Sequence, residues 1–216
     1  MSEAPPKNVR RKPSQERSLA TCEALIEATA RVLVEEGYDR LSTNRVAAVA
    51  GVSIGSLYQY YPNKEALVGA VLTREMASVS AVLRAAIAGN LEAPLPVFVS
   101  ALVEALLQSH RENVALRRVM MEQVPRLGLL GDFEDHVDRL TEVVLQVLRA
   151  RGDRVRPADL ELACFVLVHA VAGATRATIY RRPNRLHHAA LSAEISALAL
   201  RYLQPEPGED PGSAAR

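Results

Sequence analysis

Residues 42–64 read STNRVAAVAGVSIGSLYQYYPNK, and the reading of this stretch settles the rest. Apolar residues recur at helical spacing on both sides of Gly51, which divides the stretch into two short helices, 43–50 and 54–61. Two short helices that cross steeply need a small residue at the crossing, a joint tolerant of positive φ, and apolar anchors. Ala47 supplies the first, Gly51 the second, and Val46, Val52 and Leu57 the third. Ser53 is placed to cap the second helix through its hydroxyl, and Pro62 marks that helix's end, because the residue before a proline leaves the α region. Over about 42–61 this is the pattern of a helix-turn-helix, whose second helix enters the major groove of DNA with its N-terminal residues against base edges.

What faces outward from the second helix fits that reading. Tyr58, Tyr60 and Tyr61, three of the six tyrosines, stand beside Ser56 and Gln59. Tyrosine hydroxyls suit phosphate oxygens, and Gln59 offers a base edge both a donor and an acceptor. Tyr61 is expected in the core, and Tyr58 and Tyr60 on DNA. Lys64 falls in the first turn of the next helix, where backbone N–H groups also attract a phosphate. The expected DNA contacts are therefore Thr43, Asn44 and Arg45, then Ser53, Ile54, Gly55, Ser56, Tyr58, Gln59 and Tyr60, then Lys64. Upstream, Lys7, Arg10, Arg11, Lys12 and Arg17 face a single Glu16, so this segment either tracks the DNA backbone or simply solubilises the chain.

Further from the motif, twelve prolines punctuate intervals of helical periodicity, and no sustained period-two alternation occurs, so the chain reads as all-α. A first helix is expected over 14–36, burying Leu19, Cys22, Ile26, Ala30 and Leu33, with Gly37 just past its end. A fourth helix starts at Asn63, a good N-cap, and continues to about Ala88. Five more candidates follow at 95–110, 113–123, 132–151, 157–181 and 185–203, with Asp132 as the cap of the third of these. The domain boundaries expected are a disordered basic arm over 1–13, a DNA-binding domain over 14–65, an effector-binding and dimerisation domain over 66–203, and a disordered tail over 204–216.

The sequence resembles the tetracycline-repressor (TetR) family of one-component bacterial regulators over about residues 17–75. The residues that carry the resemblance are Gly37-Tyr38, Ser42, Val46-Ala47, Ala50-Gly51-Val52-Ser53, Gly55-Ser56-Leu57-Tyr58, Tyr60-Tyr61 and Asn63-Lys64-Glu65-Ala66-Leu67. Arg45 departs from the family's pattern, which often has an acidic residue there to complete a capping box behind Ser42; Arg45 is instead placed to meet a phosphate. The resemblance implies dimerisation through the last two long helices and a ligand cavity among the helices at about 95–181. Its candidate lining residues are Phe98, His110, Met120, Met121, Phe133, His136, Phe165 and His169. Met and Phe at helical spacing are more often core than pocket.

Composition narrows the alternatives. Lys plus Arg is 26 and Asp plus Glu is 25, a net charge of +1, so any nucleic-acid binding must rest on local charge rather than on a polycationic chain. Aromatics are only 4% and Trp is absent, thin for a carbohydrate cleft or a β-sandwich. Cys22 and Cys164 lie in apolar stretches and read as reduced core residues. No apolar run reaches the ~18–20 residues of a membrane span. The longest, Ala163–Ala174, is interrupted by His169, and the N-terminus lacks a secretory apolar segment, which makes the expected setting cytoplasmic. Gly51-Val52-Ser53-Ile54-Gly55 matches a hydrolase nucleophile elbow in letters, but that elbow follows a strand and this serine follows a helix. His136 between Asp135 and Asp138 reads as a solvated helix start rather than a metal site, and His187-His188 as surface. No metal or cofactor is expected.

The segment over 160–174 is apolar nearly all round, and 185–203 places Leu191, Ile195, Leu198 and Tyr202 on one stripe. Both suit a four-helix dimer interface formed by the helices at about 157–181 and 185–203. The function expected is a homodimeric regulator, a repressor released from a palindromic operator on double-stranded DNA by a small hydrophobic or amphipathic effector. Alternatives are a ligand-independent DNA-binding regulator and a helical enzyme that uses the cavity.

Overall fold

A computed structural model describes residues 16–152 and 155–204. The expected arm over 1–13, and the expected tail beyond Gln204, lie outside the described residues. Within them the chain is all-α: α1 Glu16–Glu36, α2 Thr43–Ala50, α3 Ile54–Tyr60, α4 Lys64–Asn90, α5 Leu95–Arg111, α6 Val114–Arg126, α7 Leu130–Arg151, α8 Leu160–Arg181 and α9 Ala189–Leu203. A 3-10 turn, Pro183–His187, separates α8 from α9, so the single helix expected over 185–203 is two elements. The helix expected from Asp132 starts at Leu130, which puts Asp132 in the first turn instead of at the cap. Asp159 takes the corresponding role for α8, accepting the Leu162 N–H at 3.0 Å.

The described residues fall into two compact units. One comprises those within Met1–Ala77 and Ala115–Gly131, the other those within Ser78–Val114 and Asp132–Arg216. No single cut in the chain separates them: α4 contributes to both, and α6 joins the first. In the first unit Leu25, Leu33, Val46, Leu57, Leu67 and Val68 are fully buried. Leu19, expected on the inner stripe of α1, is 55% exposed; Leu25 and Val32 are buried in that helix beside Cys22, Ala30 and Leu33. Arg74 of α4 pairs with Glu23 and Glu27 of α1 at 3.1 and 2.9 Å, and the nearly buried Glu75 and Arg117 join α4 to α6 at 3.3 Å.

The second unit packs α5, α7, α8 and α9 around Phe98, Leu107, Ile179, Leu186 and Leu203. Arg151, at the end of α7, lies 4.5 Å over the Phe98 ring and donates to the carbonyls of Ala93 (2.6 Å), Asn90 (3.3 Å) and Leu91. It thereby fixes the loop between α4 and α5.

Two helices depart from the expectation that nothing is membrane-length and apolar. α4 and α8 each hold an 18-residue window of mean hydropathy 1.5 and 1.6, long and apolar enough to cross a bilayer by length and composition. The expectation counted uninterrupted apolar runs, and a window average tolerates scattered charges such as Arg74 and Glu75. The α8 window is only one-third buried. Ala163, Cys164, Leu167, Thr175 and Ile179 face the unit's interior, while Leu162, Phe165, Val166 and Tyr180 stand 44–57% exposed on the other side. The helix is thus covered along one face only.

Candidate nucleic-acid interface

The joint between α2 and α3 forms as the residue types require. Gly51 adopts φ 69, inside the left-handed region, and donates to the Ala48 carbonyl at 3.3 Å while the Val52 N–H reaches Ala47 at 3.1 Å. This paired closure satisfies the last carbonyls of α2 and turns the chain sharply. Val46 and Leu57 are fully buried, Ala47 nearly so, and Val52 half-buried, so the two helices are held by the anchors named above.

Each short helix is capped by its own serine. Ser42 accepts the Arg45 N–H at 3.2 Å and Ser53 accepts the Ser56 N–H at 3.1 Å. The α2 cap therefore forms without the acidic residue of a capping box. Arg45, expected to meet a phosphate, bonds Glu36 through Nε at 2.7 Å and Nη2 at 2.6 Å. The side chain that breaks the family's pattern is already occupied within the fold. Asn63 caps α4, its Oδ1 accepting the Ala66 N–H at 2.8 Å.

The structure separates the tyrosines. Tyr58 is 44% exposed, with its hydroxyl 3.0 Å from the Thr43 hydroxyl across the joint. Tyr61 is core, as expected. Burial pushes its hydroxyl well above the usual tyrosine range, and the adjacent Cys22 adds to the shift. Tyr60 corrects the expectation: only 8% of it is exposed, and its hydroxyl donates to Ser18 at 3.0 Å, tying α3 to α1. Three residues after the buried Leu57, Tyr60 falls on the same face of α3 and is drawn inward.

The remaining expected contacts form one open surface. Asn44 on α2 and Ser53, Ile54, Gly55, Tyr58 and Gln59 on α3 are exposed, with Thr43 and Ser56 half-buried beside them. Lys64 is half-buried, its Nζ 4.2 Å above the Tyr38 ring and 3.4 Å from the Tyr38 carbonyl. Arg40, which the motif reading passed over, is exposed in the approach to α2, its Nε donating to the Glu36 carbonyl at 3.0 Å. The signal that finds it is the charge pattern: from Arg40 to Lys64 there are three cations and no carboxylate. In a chain of near-zero net charge, that is the local bias a phosphate backbone requires.

The expected ligand-pocket residues are distributed over both compact units and differ in burial. Phe165 and His169 correct the expectation outright, since both are exposed on α8, with their rings 4.2 Å apart. A helix apolar on all sides turned its second face to the outside. Phe98 is buried beneath Arg151, and His110 is half-buried with Nδ1 2.9 Å from the Leu106 carbonyl. Phe133 is half-buried, while Met120 (buried) and Met121 (half-buried) belong to the other compact unit. His136 is buried in α7, not solvated as its acidic neighbours suggested. Among the described residues no cluster of His, Cys, Asp and Glu has metal-binding geometry.

Comparison with known proteins gives this arrangement a family. Residues 25–71 match the family described as bacterial regulatory proteins, tetR family, and residues 94–203 match the tetracyclin repressor-like C-terminal domain. An uncharacterized HTH-type transcriptional regulator of Mycobacterium tuberculosis is 31% identical over 134 residues. That match spans 60% of this chain and 63% of the relative's length. Among solved structures, a Mesorhizobium loti chain described as a TetR-family transcriptional regulator superposes with a TM-score of 0.72 at 22% identity, covering 88% of this chain and all of the other. The SmeT–triclosan complex is similar in fold, with a TM-score of 0.62 at 21% identity over 91% of this chain and 98% of that one. The helical-enzyme alternative falls with these matches. The chain belongs to the tetR family of bacterial regulatory proteins.

Proposed function

We propose that the chain acts in the cytoplasm as a homodimeric repressor that reads a two-fold symmetric operator and is released from it by a small molecule. The observation that carries the proposal is the open face of the helix-turn-helix. Tyr58, Gln59 and the serine-capped start of α3 stand exposed on a helix whose opposite side is locked by Leu57, Tyr60 and Tyr61. In this reading Tyr58, Ser53 and Ser56 take phosphate oxygens, Gln59 takes a base edge, and Lys64 and Arg40 supply charge. Dimerisation is supported by the uncovered apolar face of α8 and by Leu198 of α9, 52% exposed, since contiguous exposed apolar surface marks interaction sites. Effector release is supported by the fold likeness to SmeT, a protein solved with triclosan. In thermodynamic terms the effector must favour a state whose two recognition helices no longer match successive major grooves, a coupling of ~1–3 kcal/mol in typical allosteric proteins. α4, shared by the two compact units, is the natural lever.

DNase footprinting upstream of the chain's own and neighbouring genes, at two salt concentrations, tests this. Two protected half-sites, about one helical turn or a multiple of it apart, are expected, with affinity falling as salt rises. Gln59→Ala should relax base choice at one operator position by about 1–3 kcal/mol in a randomised-operator selection. A chain that stays monomeric and protects nothing in dilute salt removes the proposal, and a footprint that no small molecule lifts removes its effector half.

A further inference from the structure

In the second unit α5 packs against α9, and part of the seam between them is polar. α5 aligns Ser100, Glu104, Gln108 and Arg111 along one face, and α9 sets Ser192 and Ser196 into the same groove. The groove is an open recess of about 650 Å³, with His187 of the 3-10 turn also in its wall. Ala189 and Ala193 are its two residues with wholly apolar side chains. The recess is lined by hydroxyls, an acid, an amide and a guanidinium, and of its residues Ser196 alone is buried.

Two of its members have hydrogen-bonding capacity that the fold leaves unused. Ser196 is 6% exposed, and its Oγ has no partner. A buried hydroxyl in that state is a standing cost that a bound polar group removes. The Arg111 side chain is 14% exposed. Its Nε donates to the Leu186 carbonyl at 2.7 Å, and its Nη1 donates to Glu104 and, at 3.2 Å, to Gln108, while Nη2 makes no hydrogen bond among the described residues. Glu104 is half-exposed, and its carboxyl is held below the usual range by Arg111 and the Ser192 hydroxyl, so it stands ionised.

The groove thus presents a fixed cation and a fixed anion side by side. A hydrophobic compound leaves the charged pair unused, and a singly charged ion meets its like charge next to its partner. A small molecule that carries both charges satisfies both. We propose that this groove binds a free α-amino acid or a close zwitterionic relative, its carboxylate taken by Arg111 Nη2 and the Ser196 hydroxyl and its ammonium by Glu104. Leu198, the exposed apolar residue of α9, lies on the other side of the helix from Ser196, so the groove is separate from the apolar patch. Occupancy of the groove is independent of whether the ligand alters DNA affinity.

Thermal unfolding of the full-length protein with each proteinogenic L-amino acid at millimolar concentration tests the proposal. At least one amino acid should raise Tm, by roughly 5–10 °C when present at a hundredfold excess over Kd. Its N-acetyl and carboxamide derivatives should not. Ser196→Ala removes the orphan hydroxyl and should leave the unliganded Tm unchanged or higher, while weakening the responding amino acid roughly tenfold. Glu104→Gln keeps the shape, loses the ammonium partner, and should weaken it by at least as much. Silence across the whole panel overturns the proposal, and so does a response that both variants retain at wild-type strength.

Discussion

Tyr58 and Tyr60 stand two positions apart on α3 and do opposite work. Tyr58 keeps an exposed ring with its hydroxyl shared with Thr43, whereas Tyr60 is buried with its hydroxyl on Ser18. Tyr60→Phe should cost about 0.5–1.5 kcal/mol of stability, the net worth of one hydrogen bond, and leave operator preference unchanged. Tyr58→Phe should barely move the urea midpoint yet weaken DNA binding across sequences; equal effects of the two changes on both readouts would refute the division. Tyr61 adds a pH dependence. Its hydroxyl is raised above the ordinary 10.0 by burial and then by Cys22, so the folded chain keeps a proton that the unfolded chain releases. The resulting stability is whole below about pH 10 and is lost as pH climbs through the interval up to the raised value. Tyr61→Phe should flatten that alkaline decline in urea midpoints measured from neutral to alkaline pH.

The helix-turn-helix holds two glycines with different reasons to exist. Gly51 sits at φ 69, and a Cβ there would meet no atom within 4 Å. Gly51→Ala should therefore cost only the left-handed backbone, roughly 1–2 kcal/mol. Gly55 lies in the first turn of α3 with no positive φ, and a Cβ would find Ser53 Oγ at 3.9 Å. Nothing in the fold asks for glycine there, and alanine is the better helix former. Its use fits close approach of the backbone to DNA. Gly55→Ala should raise stability by about 0.5–1 kcal/mol while weakening operator binding; a variant that gains stability and binds as well as the parent would show that no such approach occurs.

Among the described residues, α8 leaves a broad apolar surface exposed, with Leu162, Phe165 and Val166 on it. Leu162→Glu combined with Phe165→Glu places two charges on that surface, 57% and 49% exposed at those positions. Sedimentation should show a monomer with native helix content, and operator affinity should drop because one reading head binds fewer base pairs than two. A double variant that still sediments as a dimer would move the interface elsewhere. The polar groove between α5 and α9 should be untouched by this change, since its ligands come from other helix faces.

The all-α class, the positions of α2 and α3, the left-handed joint at Gly51 and the caps at Ser53 and Asn63 were all readable from residue order. They depend on interactions between residues a few positions apart, which local spacing and residue type specify. Which way a side chain faces was readable only where the periodicity was unambiguous. Tyr60 turned inward, Arg45 found Glu36, and Phe165 and His169 faced out of α8, because each outcome depends on what a distant segment brings to that spot. The groove was illegible for the same reason: its acid and guanidinium lie on α5 and its orphan hydroxyl on α9, some ninety residues further along the chain, and their meeting is a property of helix packing alone.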